Sequence, residues 1–503
     1  MLLWFVALYL LVSVGIGLFA ATRVHNAKDF AVAGRHLPLP VVTATVFATW
    51  FGAEAVFGAS ATFVKEGLGG VVADPFGSSM CLVLAGLFFS RYLYKLNIIT
   101  LGDFYRMRYN RTVEVITTLC IVASYLGWVS AQIKALGLIL NVVTQGDLSQ
   151  EAGMILGTLV VLTYTTFGGM LSVAVLDFVQ MAVSMGGLFF IAYVLAGKTG
   201  GAQTVIDHAS AAGKFEFFPP PDPLQWVTFI GAWVTMMLGS IPQQDVFQRI
   251  TSAKSARIAI WGSVLGASIY FCFTFVPMFI AYSATLIDPA QYLPLLESDA
   301  PADFQRVLPM LVMDQTPLFA QVIFFGAVLS AIMSCSSATL LAPSVTFAEN
   351  IVKGFFPAMS DWQFLRVMRL SIVVFACVVL LFALNTNASI FKMVENAYKI
   401  TLAGAFVPLL AGAIWRRATT QGALAATMGG LVSWLLLEAL VGEAMPVPAQ
   451  LIGLAVSFVG MVLGSLLPQW VGHSTPYPDL HPDLHHHAAS STHHVTAKTH
   501  HHS

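Results

Sequence analysis

Long stretches without a charge dominate this chain. Apolar runs begin at Leu2 and recur as far as Leu467. At about 20 apolar residues per crossing, about 13 runs are long enough to span a membrane. They cover roughly 2–21, 39–63, 70–94, 114–142, 153–167, 171–197, 225–241, 258–287, 317–346, 367–385, 389–414, 418–441 and 449–468. The runs are continuous, which predicts transmembrane α-helices and not the short alternating strands of a barrel. No polar segment between them is long enough to fold by itself. The first run is too long for a cleaved signal peptide and lacks its basic leader, so it reads as a retained helix.

Composition agrees. Of 503 residues, 57% are hydrophobic and 10% charged, against about a quarter charged in soluble proteins. A water-soluble enzyme, a disordered hub and a nucleic-acid binder are excluded, and a net charge of -1 gives no field to attract polyanions. The lipid bilayer is the implied partner. The few charges are sorted by side. The loop after the first span, every second loop beyond it and the C-terminal tail hold 17 Lys and Arg, Arg249 among them. The other loops hold four: Lys65, Lys198, Lys214 and Arg306. By the positive-inside rule, the N-terminus is expected outside and the C-terminus in the cytoplasm, in a multi-pass protein of the inner (cytoplasmic) membrane.

Cys81, Cys120, Cys272, Cys335 and Cys377 all fall inside apolar runs. They show no disulfide or zinc spacing and read as small packing residues. After Gln469 the chain holds 10 of its 13 histidines, at 485–487, 493–494 and 500–502 among them. This segment reads as a solvated, disordered tail. Its imidazoles also suit transition-metal binding or pH sensing.

Ionisable groups inside a membrane are expensive and mark function. Here they are Glu54, Lys134, Asp177, Asp245, Lys392, Glu395 and Lys399. Lys392, Glu395 and Lys399 share one helical face, which predicts an ion-pair cluster centred on Glu395. Lys134 either pairs with a carboxylate or snorkels.

The second run places Gly52, Glu54 and Gly58 in mid-span. Two readings fit: an interrupted helix whose freed backbone groups bind ions or solute, or a small-residue packing face. The seventh run breaks at Gly239-Ser240-Ile241-Pro242, before Gln243-Gln244-Asp245. Breaks five spans apart are the spacing of a five-plus-five inverted repeat. The ninth run contains Ser334-Cys335-Ser336-Ser337-Ala338-Thr339. Ala331, Ser334 and Cys335 stand on one face, able to complete an oxygen shell for a small cation opposite the second span. Hydroxyls bonding back to the preceding turn are the other reading.

With these residues the chain resembles the sodium:solute symporter family. The resemblance rests on the interrupted second span, on 168–180, on 238–249 and on 331–350, with Thr100-Leu101-Gly102-Asp103-Phe104 and Arg108-Tyr109 between spans. It runs from about Met1 to about Leu467. Ala44-Thr45, Thr49-Trp50 and Gly239-Ser240-Ile241-Pro242, with Phe247-Gln248-Arg249, look most like the choline-transporter branch.

The resemblance implies an all-α membrane protein with a LeuT-type five-plus-five inverted-repeat core. It implies a sodium site made by the carbonyls of Ala48, Phe51 and Ala331 and the hydroxyl of Ser334. The fifth position, usually Ser or Thr, is Cys335, a softer ligand for a hard cation. It implies a second cation or proton site at Asp177, faced by Ser334 and Ser337. For the solute it implies aromatic walls suited to a quaternary ammonium. Trp50 and Trp128 match two of these and equally fit packing roles; two others read Ser78 and Gln243. Gln243 and Gln244 are further expected solute contacts; Glu54 is not expected from that branch and could contact a primary amine or a cation.

The expected function is sodium-coupled symport of a small polar organic solute (an amine, quaternary ammonium, amino acid or carboxylate) by alternating access. Proton coupling through Asp177 is the alternative, and a transporter-like sensor without net transport is another. No nucleophile–base constellation suggests an enzyme. The expected organisation is an extra helix and loop over 1–38, repeats over 39–198 and 225–414 flanking an outer loop at 199–224, two helices over 415–468, and the His-rich cytoplasmic tail over 469–503.

Overall fold

A computed structural model describes residues 1–298, 300–442 and 445–472. The His-rich run beyond 472, and with it the expected metal-binding tail, lies outside the described residues. All regular structure among the described residues is helical, with one isolated bridge between Leu37 and Ala253.

The apolar runs reappear as helices. Among the described residues ten are long and apolar enough to cross a membrane, and two bent pairs bring the number to 12. The thirteenth crossing is hidden in Gln150–Lys198. An unbroken helix of those 49 residues would be about 73 Å long, more than twice a hydrocarbon core of ~30 Å. The backbone leaves helical geometry at Gly169 (φ 51°, ψ -146°), a conformation suited to glycine. The chain turns back there. Tyr164 donates to the Met333 carbonyl at 3.0 Å, and Asp177, thirteen positions later, accepts from Ser334. Both segments therefore reach the same level of the ninth span. Gly17 also lies against both Tyr164 and Leu176.

Spans are numbered 1 to 13 in chain order. Side chains cap many of them: Asn110 caps span 4, Ser149 span 5, Ser255 span 8, and Ser360 with Gln363 forms a capping box on span 10. Span 2 is Leu39–Trp50 and Glu54–Glu66, bent by 55°; span 7 is Pro223–Gly239 and Gln244–Ser252, bent by 44°. Span 2 packs on spans 8 and 6, while span 7 packs on spans 3 and 11. Each contact maps onto the other by a shift of five, as a repeat requires. Gly262 and Gly266 of span 8, four apart, let Val42 and Val46 of span 2 approach closely.

Lys399 and Arg249 depart from expectation, while Lys392 and Lys134 follow it. Lys399 pairs with Glu438 of span 12 at 3.6 Å and not with Glu395, which holds Lys392 at 3.3 Å. Lys134 finds no carboxylate among the described residues; its ammonium snorkels to the carbonyls of Thr386 and Ala388. Arg249 is buried inside span 7, so it is no loop charge, and the basic asymmetry of the loops stands without it.

Candidate functional site

The break in span 2 releases backbone groups. The Gly52 N–H turns to the Trp50 carbonyl at 3.1 Å, and the Ala53 N–H is taken by Gln132 Oε1 of span 4 at 2.8 Å. The carbonyls of Ala48 and Thr49 thereby lose their helical donors. Residues 54–59 then wind as a π-helix, a form often found at functional sites.

Span 9 lies against this break. Ser334 Oγ reaches the Ala48 carbonyl at 3.3 Å, and a β-carbon on Gly52 would sit 2.8 Å from Cys335 Sγ. Ala331 stands one turn earlier on the same face. The Phe51 ring points into a cluster with Phe47, Tyr270 and Phe273. Of the expected sodium ligands, Ala48, Ser334 and Cys335 thus converge at the break.

Asp177 of span 6 is fully buried beside them. One carboxylate oxygen accepts from Thr45 of span 2 and the other from Ser334 of span 9. The Ser337 hydroxyl instead donates to the Ser334 carbonyl at 2.9 Å. Three spans therefore meet on one carboxylate.

An aromatic cluster forms the other side of the break. Ring centroids lie 5.3 Å apart for Trp50 and Trp128, 5.7 Å for Trp128 and Tyr398, and 6.1 Å for the nearly parallel Trp50 and Tyr398. Tyr125 stacks behind Trp128 at 5.8 Å. Gln243 sits a turn away, its amide donating to Ser124 at 2.9 Å and Thr401 at 3.4 Å. Gln244 is remote from the rings. Its carboxamide grips the Leu101 N–H at 2.8 Å and the Ile99 carbonyl at 3.3 Å, so it fastens a loop on the basic face.

Asp245 accepts from the Tyr125 hydroxyl. Arg249, one turn on, donates through Nη1 to the Asp245 carbonyl at 3.3 Å, while its Nε and Nη2 are buried without partners. Both residues line a small cavity of about 10 Å³ with Thr49 and Trp50, the size of one water.

The two faces of the protein differ. Opposite the basic face is a vestibule of about 710 Å³, bounded by Lys65, Ala73, Phe217, Phe391, Lys392 and Glu395 among others. Ala73 adjoins Asp74, and Phe391 backs onto Gly58, one turn after Glu54. The basic face is held shut around Asn350. Its amide donates to Asp103 and Glu114, each at 2.9 Å, and its carbonyl accepts from Thr100 at 2.6 Å; Arg111 pairs with Glu114 at 2.8 Å.

Sequence reasoning missed Tyr398, Gln132, Asp74 and Arg249. Tyr398 was overshadowed by the charges around it, although it falls three positions after Glu395. Asp74 lies near the start of its apolar run and reads as a loop residue. Gln132 carries no pattern of its own, and Arg249 reads as a motif and loop residue; only the folded chain brings them to the break.

Comparison with known proteins gives the site a context. The sequence model of the sodium:solute symporter family matches residues 30–430. The chain is 27% identical to the human high affinity choline transporter 1 over 448 residues, covering 85% of this chain and 74% of the relative. It is 24% identical to the sodium/glucose cotransporter of Vibrio parahaemolyticus, covering 86% and 84%. In fold it is similar to a Na+-coupled sialic acid symporter solved in its outward-open state, with a TM-score of 0.79 at 18% identity, covering 93% and 98%.

Proposed function

The chain belongs to the sodium:solute symporter family and is a sodium-coupled symporter of LeuT-type fold; we propose that its solute is a small polar molecule bearing an ammonium group, taken up across the cytoplasmic membrane. The observation that carries this solute class is the contact of Trp50, Trp128 and Tyr398 beside Glu54. Aromatic faces attract a cation by about 0.5–2 kcal/mol each, and a buried carboxylate adds opposite charge. The likeness to choline transporters points the same way.

In this reading the coupling ion enters from the vestibule. It is held by the carbonyls of Ala48, Phe51 and Ala331 with Ser334 and Cys335. A second cation or a proton sits at Asp177 between Thr45 and Ser334. Both lie where span 2 meets span 9, so ion binding favours the state in which these spans are joined. The solute then parts the three rings, next to the hinge of span 2. The basic face is cytoplasmic, the N-terminus lies outside, and release follows when the contacts of Asn350 separate.

Uptake into liposomes containing only this protein tests the proposal. An imposed inward sodium gradient should drive accumulation of a labelled small amine. Equal uptake with potassium replacing sodium, abolished by a protonophore, would show proton coupling. Sodium-stimulated binding without accumulation would show a sensor.

A further inference from the structure

The buried charges of this protein do not balance. Glu54, Asp74, Asp177 and Asp245 are all buried in the spans with Arg249 among them, while Glu114 and Arg108, buried to the same degree, lie at the basic face. Asp177 and Asp245 have Arg249 within electrostatic range. Glu54 instead has Asp74 and Glu395 within that range.

Segments 54–59 and 72–77 pack together, and the Glu54 carboxyl has Asp74 within electrostatic range. Asp74 Oδ1 accepts from the hydroxyls of Ser78 and Tyr270. Its Oδ2 has no donor, and neither has Glu54 Oε1. A buried acceptor without a donor costs about 1–3 kcal/mol, and more when charged.

Two further groups point to a ligand. Gln132, fixed through Oε1 by the backbone next to Glu54, has its Nε2 buried without a partner. The Tyr398 hydroxyl, within electrostatic range of Glu54, is also buried without one. Unpaired polar atoms on four different spans therefore lie about the aromatic rings and the acid pair.

We infer that Glu54 and Asp74 form a site for an ammonium group that retains N–H bonds, a primary or secondary amine, and that they discriminate against a quaternary ammonium. The inference rests on the ammonium-solute reading above and narrows it. An N–H-bearing ammonium supplies donors to Glu54 Oε1 and Asp74 Oδ2 while its charge meets the rings. A fully methylated nitrogen keeps the charge but has no donor, so both acceptors stay unpaired. Sites built to hydrogen-bond a group reject analogues that lack it far more strongly than apolar pockets do. Ser78 fits this picture. It stands where the choline-transporter resemblance calls for an aromatic wall, and here its hydroxyl orients Asp74.

The test is a methylation series on the purified full-length protein in saturating sodium. Thermal shift or tryptophan fluorescence is read with ethanolamine, N-methylethanolamine, N,N-dimethylethanolamine and choline. Affinity should fall along the series, by at least about tenfold from ethanolamine to choline. Glu54→Gln and Asp74→Asn should each compress the series to within about threefold, with the sodium-induced stabilisation kept as evidence of folding. Choline binding as tightly as ethanolamine, or an unchanged order in both variants, overturns the acid-pair inference and leaves symport of an ammonium solute standing. A sodium shift that vanishes in Asp74→Asn, with the amine order intact, assigns the pair to the ion and also overturns it. No response to any of the four amines overturns both readings.

Discussion

Gly52 and Cys335 are in contact across the break, so close that a β-carbon on Gly52 would lie 2.7 Å from Cys335 Cβ. The helix break of span 2 and the thiol of span 9 thus share one small space. Gly52→Ala should abolish sodium-driven uptake while the protein still folds and inserts. Cys335→Ser replaces a soft ligand with a hard one. It should lower the half-saturating sodium concentration by up to about tenfold, equivalent to ~1.4 kcal/mol. An unchanged sodium titration in that variant would remove Cys335 from the ion site.

Asp177 joins spans 2, 6 and 9 through two hydroxyl bonds. Asp177→Asn keeps the shape and removes the charge. The half-saturating sodium concentration should rise by more than about tenfold, since hydrogen bonds to a charged group contribute roughly 1.5–3 kcal/mol. Thr45→Val should give a smaller rise in the same titration. Wild-type sodium dependence in Asp177→Asn would argue against a cation at this residue.

Asn350 holds the basic face shut through two bonds to carboxylates. Asn350→Ala should favour the inward-open state by about 10–100-fold, from the loss of ~1.5–3 kcal/mol. Ser252 is fully buried on span 7 near this face. A Ser252→Cys reporter should label faster with a membrane-impermeant thiol reagent in the Asn350→Ala background. Equal rates would mean that Asn350 does not act as a gate.

Tyr398 supplies the third ring of the cluster. Tyr398→Leu should weaken amine binding by about 5–30-fold, the ~1–2 kcal/mol of a desolvated cation–π contact, with sodium stabilisation retained. Binding of unchanged strength would place the ammonium elsewhere.

Lys399 and Glu438 provide a contrast. Glu438 is 46% exposed, and exposed pairs contribute about 0–1 kcal/mol. Glu438→Gln should leave uptake and melting temperature nearly unchanged. A large loss would show that span 12 is coupled to transport through this pair.

The spans were legible because each is an apolar run long enough to cross a bilayer, and the breaks because Gly and Pro interrupt them. Even the turn at Gly169 could be read from length. The convergence of Ala48, Ser334 and Cys335 followed from helical spacing combined with family resemblance. What escaped was whatever depends on partners far apart in the chain. Asp74 gains its meaning from Tyr270, nearly two hundred residues away, and from Glu54. Gln244 looked like a solute contact because it neighbours Gln243, yet the two carboxamides leave the chain in different directions. Lys399 looked like a partner of Glu395 by spacing alone, until span 12 offered Glu438.

The imbalance of buried charge has an electrical consequence. In the proposed cycle, whichever of Glu54, Asp74, Asp177 and Asp245 is ionised when cargo is absent leaves negative charge in the core, which sodium and an ammonium would bring toward neutrality. Inside-negative voltage acts on such charge with about 2.3 kcal/mol per unit for each 100 mV. An unloaded core with net negative charge would be pushed to face outward, where ions and solute are collected. In that cycle the resting voltage would reset the carrier, and the step accelerated would be the return without cargo.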